Sequence, residues 1–276
     1  MNDITVSVIT VVRNAENLIG DTIRSVIGQN NVNVEYIVVD GNSKDKTLDI
    51  IKEYESKSDG RMRWISEPDN GIYDAMNKGA LMSNGKWVIF MNAGDMFCNP
   101  MVLSSMKLDS VPQNTTVVYG KSVSRYKNDY YCFTPYPLDV LKCSGMAFCH
   151  QAVLVRTETM KSFLFDTRYK LLADYDFFRK LFLADYKFLY RDIPVCFYGL
   201  EGGATASHRL QCAEEQFKIS RNQEKLPLLR LCSIYCKMIA ERLFPSAVCL
   251  FRRKKYSAMR LTEAQKKAIF NSTATD

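Results

Sequence analysis

Val6-Ser-Val-Ile-Thr-Val-Val12, followed after a polar break by Asn17 to Gln29 with Leu18, Ile23, Val26 and Ile27 at helical spacing, is the stretch that decides the fold. A short run of β-branched residues reads as a buried strand, and the 3.6-residue spacing behind it reads as an amphipathic helix. The same alternation returns along the chain. Glu35-Tyr-Ile-Val-Val-Asp40 is a second strand, Gly41-Asn-Ser-Lys-Asp45 a polar turn, and Thr47 to Tyr54 a helix. Met62 to Ile65 makes a third strand, Tyr73 to Met82 a third helix and Lys86-Trp-Val-Ile-Phe-Met91 a fourth strand. Strands and helices alternating at this length imply right-handed crossovers, hence an α/β chain built on a Rossmann-like, mostly parallel sheet covered on both faces.

Beyond Asp95 the pattern is less regular. Thr116 to Val123, Tyr130 to Phe133 and Ala152 to Arg156 read as strands that add antiparallel pairing, and Asp174 to Ala184 reads as a helix with Phe177, Phe178, Leu181 and Phe182 on its apolar side. This divides the chain into a domain over 1–205, with a regular first half (1–98) and a mixed second half (99–205), and a basic, amphipathic, helical extension over 206–276. In the extension Leu231, Ile234, Tyr235 and Met238 form one stripe, Pro245 breaks the helix, and Arg230, Lys237, Glu241 and Arg242 interrupt the apolar run. About 20 uninterrupted apolar residues would be needed to span a bilayer.

Bulk properties narrow the class. Of 276 residues 47% are hydrophobic and 24% charged, which excludes a disordered or membrane-embedded chain. The first residues lack a secretory signal, and nine scattered cysteines without a C-x-x-C pair point to reduced thiols in the cytoplasm. His150 and His208 are the only histidines and neither stands at zinc-ligand spacing from cysteine. Net charge is +7, yet Arg221 to Asp276 alone holds twelve Lys/Arg against four Asp/Glu. A near-neutral body with a basic tail suggests chemistry in the first part and attraction to something acidic in the second. No G-x-G-x-x-G follows the first strand, and in Gly79 to Trp87 the second glycine comes late and Trp87 stands where a P-loop needs Ser/Thr.

In open α/β sheets ligands bind beyond the carboxyl ends of the strands. Those positions hold Arg13 and Asn14, Asp40 with Gly41, Ser66-Glu-Pro-Asp69 and Asn92-Ala-Gly-Asp95. Together with the blocks Ser7-Val-Ile-Thr-Val-Val-Arg-Asn14, Val38-Val-Asp-Gly-Asn-Ser-Lys-Asp-Lys-Thr47, Ser66-Glu-Pro-Asp-Asn-Gly-Ile-Tyr-Asp-Ala-Met-Asn-Lys-Gly79, Cys149-His-Gln151 and Ala173-Asp-Tyr-Asp176, the chain resembles the inverting glycosyltransferases of family 2 over about residues 4 to 205. The Glu67 to Gly79 block resembles the colanic acid and capsule biosynthesis subgroup.

The resemblance implies the GT-A fold and transfer of a sugar from a nucleoside-diphosphate donor, a UDP-sugar by preference, to a saccharide or lipid-linked saccharide acceptor in bacterial surface polysaccharide synthesis. A diphosphate leaving group must be neutralised, which Mn2+ or Mg2+ does with one or two carboxylates. Asp95 matches the family's metal-binding aspartate, while Asn92, Ala93 and Gly94 stand where a D-x-D-type cluster is usual, so the site carries less negative charge. Asp40 would accept a base N–H, with Thr10, Val11, Val12, Arg13 and Glu16 bordering base and ribose. Asp74, Asn77 and Lys78 would run beside the diphosphate or the sugar. Asp174, or alternatively Asp176, is the expected base, and His150 with Gln151 the acceptor-side pair; a helix-dipole role in the first turn is the competing reading for both acids. A single displacement inverts the anomeric configuration. Arg252-Arg-Lys-Lys255 could draw the protein to an anionic membrane surface, or end a packed helix; no nucleic-acid module accompanies the charge. A nucleotide-sugar-binding subunit of weak activity is the alternative function.

Overall fold

The computed structural model describes residues 4–126, 129–142, 145–199, 208–221 and 260–270, with Cys232, Cys236 and Ile239. The stripe Leu231, Ile234, Tyr235 and Met238, the helix-breaking Pro245 and the basic run Arg252 to Lys255 lie outside those residues.

Strands β1 (Val6–Val12), β2 (Val34–Asp40), β3 (Met62–Ser66) and β4 (Trp87–Phe90) alternate with helices α1 (Ile19–Ile27), α2 (Thr47–Glu55) and α3 (Ile72–Met82). All three strand pairs are parallel, in the spatial order β3-β2-β1-β4. Side chains alternate faces along a strand, and β1 shows what this achieves. Val6, Val8 and Val12 enter the core beneath α1 and α2, whereas Ile9 and Val11 enter the core beneath α3. Thr10 shares the first face, where its hydroxyl donates to the Met91 carbonyl (2.6 Å) and meets the Tyr36 hydroxyl (2.9 Å), so a buried polar group is fully used. α3 lies close on the sheet at Gly79, where any Cβ would run into the Ile9 side chain.

At the amino ends of these strands one carboxylate acts as a fastener. Glu35, only 7% exposed, accepts from Ser7 Oγ, from the backbone N–H groups of Asn84 and Gly85, and from Arg63 at 3.1 Å.

The second half extends the same sheet through β8 (Val153–Arg156), antiparallel to β4, then β6 (Thr115–Tyr126), β9 (Lys187–Gly199) and β5 (Met96–Phe97), with β7 (Asp129–Phe133) hairpinned on β6. Antiparallel pairing was expected here and dominates, but β6 and β9 run parallel. β9 escaped the sequence reading because Arg191, Asp192 and Pro194 split its apolar residues into the short runs Phe188-Leu-Tyr190 and Val195-Cys-Phe-Tyr198, and most of the strand is half-exposed. Its register slips around the Lys121–Pro194 pair, and Gly120 is required there because a Cβ would sit 2.5 Å from the Ile193 carbonyl oxygen.

Helices α4 (Val102–Ser105), α5 (Thr157–Phe163) and α6 (Ala173–Leu183) complete the body. In the C-terminal region α7 (Arg209–Arg221) buries Ile219 in the core shared with α6, and α8 (Glu263–Phe270) places Phe270 5.4 Å from the Tyr130 ring. The described parts of the extension therefore pack on the body. No helix among the described residues is long and apolar enough to cross a membrane.

Candidate active site

The loops after β1 and β2 are stitched together. Asn14 N–H donates to Ser43 Oγ (2.8 Å), Ala15 N–H to Thr47 Oγ1 (2.8 Å) and Glu16 N–H to Asp45 (3.1 Å). In return Lys44 N–H donates to Asn14 (2.8 Å) and Lys46 N–H to the Glu16 carboxylate (2.9 Å). Asn14 and Asn42 adopt positive φ (49° and 59°), a conformation asparagine tolerates in turns. Asp40 is buried beneath this turn. Its Oδ2 accepts from the Ser43 N–H (3.1 Å) and Ser66 Oγ (2.6 Å), while Oδ1 is held by the Ser43 hydroxyl alone. Arg13 is exposed on the rim, and Gly41 lets Arg13 and Asp69 approach.

Around the start of α3, Asp74 caps by accepting the Asn70 N–H (2.9 Å), and Lys78 pairs with Glu67 (2.8 Å). Asn77, expected beside the donor, uses its amide on the backbone of Phe165 in both directions (2.9 and 2.8 Å), so it clamps α3 to the segment after α5.

A second group forms where β4 ends. Asp95 N–H closes a turn on the Asn92 carbonyl (2.8 Å), Ala93 N–H donates to Val11 and the Gly94 N–H to Thr22 Oγ1, with Gly94 at φ 96°. This turn aims Asn92 and Asp95 at the short turn His150–Ala152 that precedes β8. Gln151 Nε2 donates to Asp95 Oδ2 (3.0 Å), and Cys149 Sγ donates to Gln151 Oε1 (2.7 Å). One residue earlier, His150 reaches the other way, with Nδ1 3.2 Å from Asp174 Oδ2 in the first turn of α6. Tyr73 O–H, from α3, donates to Asp174 Oδ1 (2.9 Å), and the Tyr175 N–H adds a third bond (2.8 Å). Adjacent residues thus hold two buried carboxylates from distant elements.

Asp176 takes no part, because its carboxylate turns to Lys180 one helical turn on (2.5 Å), and burial raises its pKa. Of the two acids only Asp174 is joined to His150.

The electrostatics follow from burial and partners. Burial works against ionised Asp174, but the hydrogen bond and charge of His150, with Tyr73 and the Tyr175 N–H, prevail and hold its pKa below the usual carboxylate value. Burial likewise opposes a charged His150, yet Asp174 overrides it and lifts the ring to about 9. For Asp95 burial wins: it rises to about 6 although Gln151 donates to it. His150 Nε2 stands 3.5 Å from Asn92 Nδ2, a hydrogen bond only for a ring protonated on Nδ1 alone. A second ring proton sets donor against donor and favours the Asn92 amide turned over. Asn92 Oδ1 is buried without a partner. The Asp95 carboxylate, short of stabilisation, suits a divalent cation arriving with a diphosphate, since hard cations take oxygen ligands and need few from protein. Among the described residues no group of three or more His, Cys, Asp or Glu is gathered to hold a metal unaided.

Sequence reasoning missed Tyr73 and Cys149 as partners. Tyr73 lies inside a quoted block, but its contact to Asp174 spans 101 residues, and no local pattern reports that.

Residues 7–184 match the family described as Glycosyl transferase family 2. A PGL/p-HBAD biosynthesis glycosyltransferase of Mycobacterium bovis is 31% identical over 145 residues, 52% of this chain and 56% of the relative. A Bacillus subtilis protein named for teichuronic acid biosynthesis, TuaG, is 40% identical over 91 residues, 33% of this chain and 36% of that protein. The chain thus spans about half the length, or less, of these curated relatives. Among solved structures, S. aureus TarS 1-349 in complex with UDP superposes with a TM-score of 0.61 at 17% identity, covering 86% of this chain and 71% of that one. Mannosyltransferase PcManGT from Pyrobaculum calidifontis, in complex with GDP-Man and Mn2+, gives 0.64 at 15% identity, covering 98% and 84%. At these identities the likeness shows a shared fold, the GT-A fold expected from the sequence. With well over half of its residues inside the family's span, the chain belongs to glycosyltransferase family 2.

Proposed function

We propose that the chain transfers a sugar from a nucleoside-diphosphate donor to a saccharide acceptor by a single, inverting displacement, with Asp174 as base. One observation carries this reading: the turn at His150 and Gln151 joins Asp95, beside the donor loops, to Asp174, at the head of α6. Leaving group and base must flank the anomeric carbon, and these acids come from separate elements, the turn after β4 and the first turn of α6.

In the reaction the acceptor hydroxyl gives its proton to Asp174 as its oxygen bonds to the anomeric carbon. The bond to the diphosphate breaks with its electron pair leaving on phosphate. Asp174, held below the usual carboxylate range, is ionised at neutral pH and ready to accept. His150 and Tyr73 fix its orientation. Asp95 would hold a divalent ion, which when bound would offset the charge growing on the diphosphate. Asp40 reads the base through Oδ1, because the Ser43 hydroxyl that covers it can rotate away. Arg13 and Glu16 border base and ribose, and Asp74 lies toward the diphosphate. The TarS complex with UDP-GlcNAc and the PcManGT complex with GDP-Man and Mn2+ support a nucleotide-sugar donor and a divalent ion in this fold. The names of the mycobacterial and Bacillus relatives support an acceptor belonging to a surface glycan or glycolipid.

The test is turnover and binding of UDP-GlcNAc, GDP-Man and further nucleotide sugars, with and without Mn2+, on wild type and Asp95→Ala. Mn2+-dependent turnover of one donor, with nucleotide affinity falling about a hundredfold in Asp95→Ala, is expected. A folded protein that binds a donor but never turns it over would instead favour a binding subunit, the reading that the amide at Asn92 supports.

A further inference from the structure

α6 begins without a cap of its own: Leu172 occupies the N-cap and offers no side-chain hydrogen bond. The segment leading into it is held from outside. Glu215 of α7, 5% exposed, accepts the N–H of Lys170 on Oε1 (2.9 Å) and those of Leu171 (2.9 Å) and Leu172 (3.0 Å) on Oε2. Gln211, one helical turn earlier, donates to the same carboxylate at 3.3 Å. Three backbone donors on one buried carboxylate make charge-assisted bonds, about twice as strong as neutral ones. They also place a negative charge at the amino end of a helix, where the dipole favours it.

The held segment is continuous with the site. The Leu171 carbonyl accepts the same Tyr73 hydroxyl that donates to Asp174 (3.0 Å), and Leu172 accepts the N–H of Asp176 (3.0 Å). Lys170 ties to the Asn70 carbonyl at the foot of α3 (3.1 Å). Glu215 lies beyond residues 7–184, the span matched to the family.

We infer that Glu215 is a positioning residue, which fixes residues 170–172 and through them the Asp174 carboxylate against Tyr73 and His150. The inference rests on Asp174 being the base, and it makes α7 part of the catalytic unit.

Glu215→Gln and Glu215→Ala in the full chain test it, read by Mn2+-dependent turnover of UDP-GlcNAc or GDP-Man, by nucleotide affinity, by thermal unfolding and by NMR. The chain holds two histidines, so the hydrogen-bonded Nδ1 proton of His150 can be followed without any donor. Glu215→Ala is expected to lower kcat about tenfold to a hundredfold, as misplacement of a catalytic group does, with nucleotide affinity unchanged and the His150 Nδ1–H signal lost. Glu215→Gln, which keeps one acceptor oxygen and the shape, should fall between and guards against failure of the alanine variant to fold. A persisting His150 signal with unchanged kcat overturns the inference, and so does parallel loss of nucleotide binding and folding. Absence of turnover in wild type would sink the transferase reading, while the NMR comparison still decides whether Glu215 positions the pair.

Discussion

Among the buried carboxylates, Glu35 at the amino ends of the parallel strands and Asp174 at the head of α6 are bonded differently. Glu35, at the amino ends, accepts from Ser7, from two backbone N–H groups and from Arg63, none of which changes protonation near neutral pH. Asp174, near the carboxyl ends, accepts from the Tyr73 hydroxyl and the Tyr175 N–H but also meets His150, a group able to exchange a proton. A carboxylate among fixed donors is a fastener. One beside a titratable donor can take a proton and be steadied while it does so.

Asp174→Asn separates the two most sharply: kcat should fall about a thousandfold, the range lost with a general base, while nucleotide still binds and stability falls by no more than the roughly 2 kcal/mol drawn from the pairing with His150. Unfolding of this variant would erase the distinction. Glu35→Ala should do the reverse, because it removes the buried acceptor shared by Ser7, the Asn84 and Gly85 N–H groups and Arg63. A loss of about 3 kcal/mol in denaturant unfolding is expected, with turnover per folded molecule unchanged. The pH dependence of stability sharpens the contrast. His150 is raised to about 9 in the folded chain, so the stability it draws from Asp174 is complete below the ordinary histidine range and is lost as pH rises through about 9. For a mostly buried pair this is about 2 kcal/mol, visible as a wild-type decline between pH 6 and 9.5 that Asp174→Asn lacks. The smallest effect belongs to Ser43→Ala, which should cost about 1 kcal/mol of stability and leave kcat within about twofold, since Ser43 serves the donor turn. A large loss of turnover there would move the chemistry toward Asp40.

Much of this was legible in the chain. Alternating strand and helix periods marked β1 to β4 and α1 to α3 within a residue or two of each end, because β1, β2 and β4 are completely buried and are written as apolar runs. β9 was invisible for the opposite reason: half-exposed and interrupted by Pro194, it is specified by β6 and β5 rather than by its own pattern. In the site, Asp95 and Asp174 stood out by their match to the family's blocks, at a strand end and a helix start. Which acid of Ala173-Asp-Tyr-Asp176 turns inward was not readable, since His150 and Lys180 settle that from elsewhere. Asn77 shows the limit of motif reading, as its amide serves Phe165.

The position of β9 between β6 and β5 also sets an order in time. The four parallel strands are finished by Phe90, and the loops stitched across Asn14 and Ser43 need nothing later in the chain, so the donor side can form while synthesis continues. β6 must then wait for Lys187 to Gly199, some seconds at a ribosomal rate of about 5–20 residues per second. Through that interval one flank of β6 is an open edge, the period in which the nascent chain is most exposed to strand exchange with a neighbour and to capture by a chaperone.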